Sequence, residues 1–143
     1  MEKILVPGIS LCEEKRRKKR AERKFKLNIT PPLSDVLMAQ NVIHTISYLG
    51  NFFLSENSAY KKRVIYFGPT GCGEDFYLIT NDEDDGTIID LIEDMCGFIS
   101  SADASSLEGA NEHTVGFDLE GAKLIMSRYH VTLATGRRQT ASN

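Results

Sequence analysis

Apolar residues recur at helical spacing through residues 34–54, where Val36, Ala39, Ile43, Ile46, Leu49 and Phe53 line up, with Val42 beside them. This pattern predicts a helix. Thr30 or Ser34 is placed to cap it, Pro31 suits its first turn, and Gly50 weakens its later part. Residues 63–67, RVIYF, and 76–80, FYLIT, are short apolar runs rich in β-formers, and they predict two strands joined as a hairpin across the loop between them. Within residues 87–99, Ile88, Leu91, Ile92, Met95 and Ile99 share one helical face, which predicts a second helix. Two consecutive short strands remain the competing reading.

Residues 114–135 read most simply as a second hairpin, because Ile125, Tyr129, Val131 and Leu133 fall in a period-two register. A helix over residues 119–129 followed by a strand is the alternative. Residues 1–12 form a short extended piece broken by Pro7 and Gly8. Residues 13–26, EEKRRKKRAERKFK, hold helix formers but almost no apolar stripe, so they read as an exposed helix or as a segment ordered only by a partner. The predicted fold class is therefore α+β: a small, mostly antiparallel sheet covered by two helices and preceded by a basic arm. The expected organisation is an arm over residues 1–29, a compact domain over 30–135 and a fraying tail over 136–143.

Charge sharpens this picture. The chain has 143 residues and a formal net charge of -3, but the charges are segregated. Residues 13–26 carry nine Lys or Arg against three Glu, whereas residues 81–120 carry twelve Asp or Glu and no Lys or Arg. Lys15, Arg16, Arg17, Lys18, Lys19, Arg20, Arg23 and Lys24 form a candidate binding surface for an acidic protein or a nucleic acid, or a nuclear-targeting segment. Asp82, Glu83, Asp84, Asp85, Asp90, Glu93 and Asp94 form a candidate docking surface for a basic protein. A sequence pI of about 5.6 argues against a protein that coats nucleic acid generally. No apolar run is long enough to span a membrane, and an intracellular location, cytoplasmic or nuclear, is expected.

The densest candidate chemistry is GPTGCGED, residues 68–75. Gly68 and Gly73 have the spacing of a nucleotide-binding glycine loop, but Glu74 stands where a lysine is required and Asp75 where a hydroxyl is required. Two carboxylates there repel a triphosphate, and a strand follows where a helix should open. Cys72 is the one weak catalytic candidate. A histidine, His44, His113 or His130, would have to fold against it, and Glu74 and Asp75 tend to keep a nearby thiol protonated. Cys12 lies near the basic segment, and Cys96 falls at a core-type position.

The acidic turn at residues 81–92 partly matches a calcium loop, but Ile92 occupies the place of the bidentate glutamate. No metal site and no cofactor are predicted. The leading expectation is a non-enzymatic interaction, regulatory or adaptor protein with protein or nucleic-acid partners. The alternatives are a small cysteine-dependent hydrolase or transferase using Cys72, and a dedicated RNA- or DNA-binding protein.

Overall fold

The computed structural model describes residues 3–17, 20–29, 39–71, 75–81, 83–107 and 116–141. The chain opens with three strands: β1 (Lys3–Val6), β2 (Ile9–Arg17) and β3 (Arg20–Leu27). Helix α1 (Gln40–Glu56) follows, then β4 (Val64–Pro69), β5 (Phe76–Thr80), α2 (Asp85–Ser100) and α3 (Leu119–Ala141). The strands form one antiparallel sheet in the order β1-β2-β3-β5-β4. The α+β expectation is borne out in this coarse form. Among the described residues the sheet has five strands and three helices accompany it.

Residues 13–26 correct the first reading. They lie in β2 and β3, whose register pairs Glu14 with Arg23, Lys15 with Glu22 and Arg16 with Ala21. The deciding pattern has period two. Ala21, Arg23, Phe25, Leu27 and Ile29 are all buried, while the residues between them are half-buried. Charge density concealed that alternation, because the buried face includes an arginine. β3 then pairs with β5, Phe25 opposite Leu78 and Leu27 opposite Phe76. The basic segment is thus woven into the sheet. Lys18 and Lys19 lie outside the described residues.

The hairpin of β4 and β5 forms as expected, with Phe67 opposite Leu78. α2 also forms where the apolar face predicted it, burying Ile88, Leu91, Ile92, Met95, Cys96 and Ile99. Its first turn begins at Asp85. The Asp84 carboxylate, just before it, accepts from the Thr87 hydroxyl, and that bond lowers the Asp84 pKa. The strand that precedes Asn81 rules out a calcium hand, which needs a helix there.

The predicted hairpin at 114–135 is instead α3. Ala122, Met126, Tyr129 and Leu133 are buried at helical spacing, and Val131, which the period-two reading put with them, is 65% exposed. The Gly121 N–H donates to the Asp118 carboxylate at 2.9 Å, so Asp118 caps the helix. The helix continues through Gly136 and Arg137, which the sequence reading assigned to a fraying tail. Arg137 pairs with Asp90 at 2.7 Å and Glu93 at 2.9 Å, fastening α3 to α2.

Buried residues of α1, α2 and α3 and the buried strand positions make one continuous apolar core. α1 lies very close to β4. A methyl group on Gly50 would meet Phe67 Cε2 at 2.5 Å and Met95 Sδ at 3.1 Å. Gly50 therefore belongs to the helix interior because a strand passes over it, which the sequence reading recorded only as a weakness. At the β1–β2 turn, Gly8 adopts φ 103°, and its carbonyl accepts from the buried Tyr129 hydroxyl at 2.8 Å.

Gly50→Ala tests the close approach. Helix propensity alone favours alanine by about 1 kcal/mol. Overpacking against Phe67 opposes it by about 1–3 kcal/mol. A net loss of stability is expected in urea unfolding, and a gain would show that α1 is free to shift.

Tyr60, beyond α1, donates to Asp94 on α2 at 2.6 Å. Burial first, then that bond, raises its pKa from 10.0 to about 12. The neutral phenol is the form the fold favours. Its contribution is complete below pH 10 and is lost as pH rises through about 12. The stability advantage of the wild type over Tyr60→Phe should therefore shrink across that window in urea titrations.

Candidate active site

The candidate site is built from α1, the entry to α3 that packs on it, and β4, which runs from the helix into the loop bearing Cys72. α1 is followed directly by a turn into β4, so β4 runs back along the helix. Its middle is pinned where the Asn51 side-chain amide donates to the Phe67 carbonyl at 3.0 Å. Seven residues up the helix from Asn51, roughly 10 Å away, stands His44. Three residues beyond Phe67, again roughly 10 Å on, β4 passes into the loop that carries Cys72. β4 thus leads from its contact with Asn51 into that loop, while His44 lies further toward the start of α1.

The loop is closed at its base. The Thr70 N–H donates to the Asp75 carbonyl at 3.1 Å, and Gly71 adopts φ 97°. Asp75 is 7% exposed. It is satisfied by the Asn28 amide at 3.2 Å and lies 3.7 Å from the Lys26 ammonium. The carboxylate that looked misplaced for phosphate is thus an anchor fixing the loop to the end of β3. β5 follows it as a strand, which removes the helix terminus a phosphate loop needs. Cys72 lies outside the described residues, as does His113.

The third segment is the entry to α3. Thr45 is fully buried, and its hydroxyl works both ways. It donates to the Asn41 carbonyl at 2.6 Å and accepts from the Asp118 N–H at 2.8 Å. This holds Phe117 against α1. The Phe117 ring stacks on His44, with centroids 4.7 Å apart and planes at 25°, and leans on Tyr48 at 5.4 Å. His44 is exposed, while Tyr48 and Phe117 are half-buried. Neither ring nitrogen of His44 has a hydrogen-bond partner among the described residues.

The other sequence candidates are scattered. Arg23 is buried and held by Asp85 at 2.9 Å and by the Glu83 carbonyl. Lys15 pairs with Glu13, and Lys24 sits 4.0 Å above the Tyr77 ring. Arg16, Arg17 and Arg20 lie on β2 and β3. Glu83 pairs with Arg63, Asp90 and Glu93 pair with Arg137, and Asp94 accepts from Tyr60. Asp82 is outside the described residues. Much of the supposed acidic docking surface thus serves internal cross-links. Cys96 is fully buried, and burial pushes its thiol pKa up, so it is a core residue as expected. His130 is on α3, 3.9 Å from Glu93. Among the described residues no group of three or more His, Cys, Asp or Glu is placed to hold a metal ion, and no helix is long and apolar enough to cross a membrane.

A family model described as S-Ribosylhomocysteinase (LuxS) matches residues 2–140. The chain belongs to the LuxS family. An S-ribosylhomocysteine lyase of Finegoldia magna is 37% identical over 98 residues, covering 68% of this chain and 62% of that protein. Another, from Clostridium acetobutylicum, is 32% identical over 97 residues, covering 67% of this chain and 61% of that protein. A third, from Borreliella burgdorferi, is 29% identical over 108 residues. The chain thus spans about three-fifths of the length of the first two relatives it matches.

Membership of the LuxS family overturns the expectation of a regulatory or adaptor protein with protein or nucleic-acid partners. It favours the enzyme alternative, although the relatives' name denotes a lyase, neither the hydrolase nor the transferase foreseen. The nuclear-targeting reading also falls, since the LuxS relatives are bacterial. Sequence reasoning missed Thr45, Tyr48, Phe117 and Asp118. The available signal was Asp118 standing as a cap before the helical row Ala122, Met126, Tyr129 and Leu133.

Thr45→Val keeps the shape but removes the hydroxyl. It strands the Asp118 N–H and should cost about 1–3 kcal/mol in urea unfolding. It should also release Phe117 from His44, read as a change in the histidine ring NMR shifts. Unchanged stability and shifts would show that the entry to α3 is held by other contacts.

Proposed function

We propose that this chain is an intracellular bacterial enzyme that acts on S-ribosylhomocysteine and breaks the bond between its ribosyl carbon and sulfur. The observation that carries this reading is the LuxS family match over residues 2–140, nearly the whole chain. The site proposed for the chemistry is built from the N-terminal half of α1, the β4–β5 loop and the entry to α3.

A lyase breaks a carbon–sulfur bond by elimination. Once the ring has opened and the sugar carbonyl has moved by enolisation to lie two carbons from the sulfur-bearing carbon, a base takes a proton from the carbon between them, the carbon–sulfur bond breaks as a carbon–carbon double bond forms, and an acid returns a proton to the departing thiolate. His44 and Cys72 are the two groups assigned to these transfers. His44 is exposed and stacked on Phe117, with both ring nitrogens free of described protein partners. The anchored base of the 70–75 loop supports Cys72 as its counterpart, because Asn28 and Lys26 hold Asp75 and so limit where the loop can lie.

A second reading is a family member that binds the same thioether without turning it over. It is favoured by the sparse chemistry of α1, where the half-buried Ser47 and Tyr48 follow His44 and offer no strong base.

One assay separates the two. The full chain is incubated with S-ribosylhomocysteine, and free homocysteine is read with a thiol reagent against protein alone. Elimination predicts steady thiol release that falls about 100-fold or more in Cys72→Ser and His44→Gln. Saturable binding by calorimetry without thiol release would replace the first reading by the second. Neither binding nor release would overturn both.

A further inference from the structure

Elimination beside a sugar carbonyl is commonly assisted by a divalent metal, which would supply a Lewis acid to polarise the carbonyl oxygen. The described residues can be tested for fit to such an ion. The common helix-borne metal motif supplies two ligating side chains one turn apart, at i and i+4 on one face. A ligating imidazole also normally donates its second N–H to a carbonyl or carboxylate.

α1 meets neither condition. One turn after His44 stands Tyr48, with Ser47 at i+3. One turn before it stand Gln40 and Asn41. No described acceptor holds the His44 ring. Its orientation comes from Phe117, whose ring lies within 25° of parallel to it. The place of a second ligand is filled by a phenol that leans on the same Phe117 ring. The donor set of α1 does not fit a divalent metal.

What it does fit is a small, partly apolar ligand. His44, Tyr48 and Phe117 form a half-exposed aromatic cluster, fastened underneath by the Thr45–Asp118 hydrogen bond. Such a surface accepts the apolar face of a sugar ring. Aromatic rings also attract a thioether sulfur at about 5 Å, each such contact worth about 0.3–1.5 kcal/mol. The unpartnered His44 edge adds one hydrogen bond to a sugar hydroxyl.

We infer that the His44–Tyr48–Phe117 cluster is a stacking platform for a pentose thioether and stands in place of a helix-borne metal centre, so that the chain retains no stoichiometric divalent metal. The ligand part rests on the proposed function. The metal part does not.

The test uses the full chain. Metal content is measured by mass spectrometry as purified, and again after incubation with Zn²⁺ and desalting. Cobalt binding is followed by visible absorption. The expected result is far less than one equivalent in the wild type. Tyr48→His, which creates the i and i+4 pair, should bind cobalt at least tenfold more tightly, and adding His44→Ala should cancel that gain. A wild type that keeps one equivalent, lost in His44→Ala, would overturn the metal part.

Calorimetry with S-ribosylhomocysteine tests the platform. Tyr48→Phe should bind like the wild type, and Tyr48→Leu and Phe117→Leu about tenfold more weakly. Leucine fills the space without an aromatic face, which guards against a folding defect. Equal affinity in all four proteins overturns the platform. No binding by the wild type overturns the ligand and the functional reading together, while the metal measurement, made without ligand, decides the metal part alone.

Discussion

α1 can lie against β4 only because residue 50 has no side chain. The ring of Phe67 occupies the space where a Cβ would stand, and Met95 of α2 closes it from the other side. A glycine inside a helix costs about 1 kcal/mol relative to alanine. Here that loss is offset by burial of Phe67 and by the Asn51–Phe67 hydrogen bond beside it. The contact sets both the distance and the direction of the helix relative to the sheet. Everything at the candidate site inherits its position from it: His44 two turns up the helix, and the loop after β4.

The site is then assembled by polar anchors whose strength comes from burial. Thr45 and Asp75 are among the few buried polar groups in the described residues. Each is satisfied by partners distant in sequence, Asp118 for the first and Asn28 for the second. An unpaired group would carry a desolvation cost of about 1–3 kcal/mol at Thr45 and more at the Asp75 carboxylate, so the anchors are strongly directional. They hold Phe117 on His44 and fix the base of the cysteine-bearing loop.

The charged residues show the opposite relation between sequence and structure. Segregated charge suggested two docking surfaces. In the fold, Arg23 crosses from β3 to Asp85 and Glu83, and Arg137 crosses from α3 to Asp90 and Glu93. The acidic half is largely partnered within the fold, by Arg23, Arg63 and Arg137 and by the Tyr60 hydroxyl. A run of like charge costs little in an extended strand when every second residue faces a carboxylate or an aromatic ring. Lys24 over Tyr77 and Lys15 beside Glu13 are examples.

From the residues alone, the elements with one dominant periodicity were legible: the later part of α1, the β4–β5 hairpin and α2. In the two helices the apolar rows are the buried ones, so local pattern and tertiary burial agree. The role of Cys96 was legible for the same reason. Two elements were not. In β3 a buried arginine sits in the apolar row, and only its pairing with Asp85 makes that position tolerable. In α3 two registers were available. Burial of Ala122 and Met126 decided for the helix, with Val131 left in water. The meaning of GPTGCGED also divides this way. Its residue types alone excluded a phosphate loop, through the charge of Glu74 and Asp75. Only the fold turned Asp75 into a buried anchor and set β4 against α1, because both depend on contacts between elements distant in sequence that no local pattern encodes.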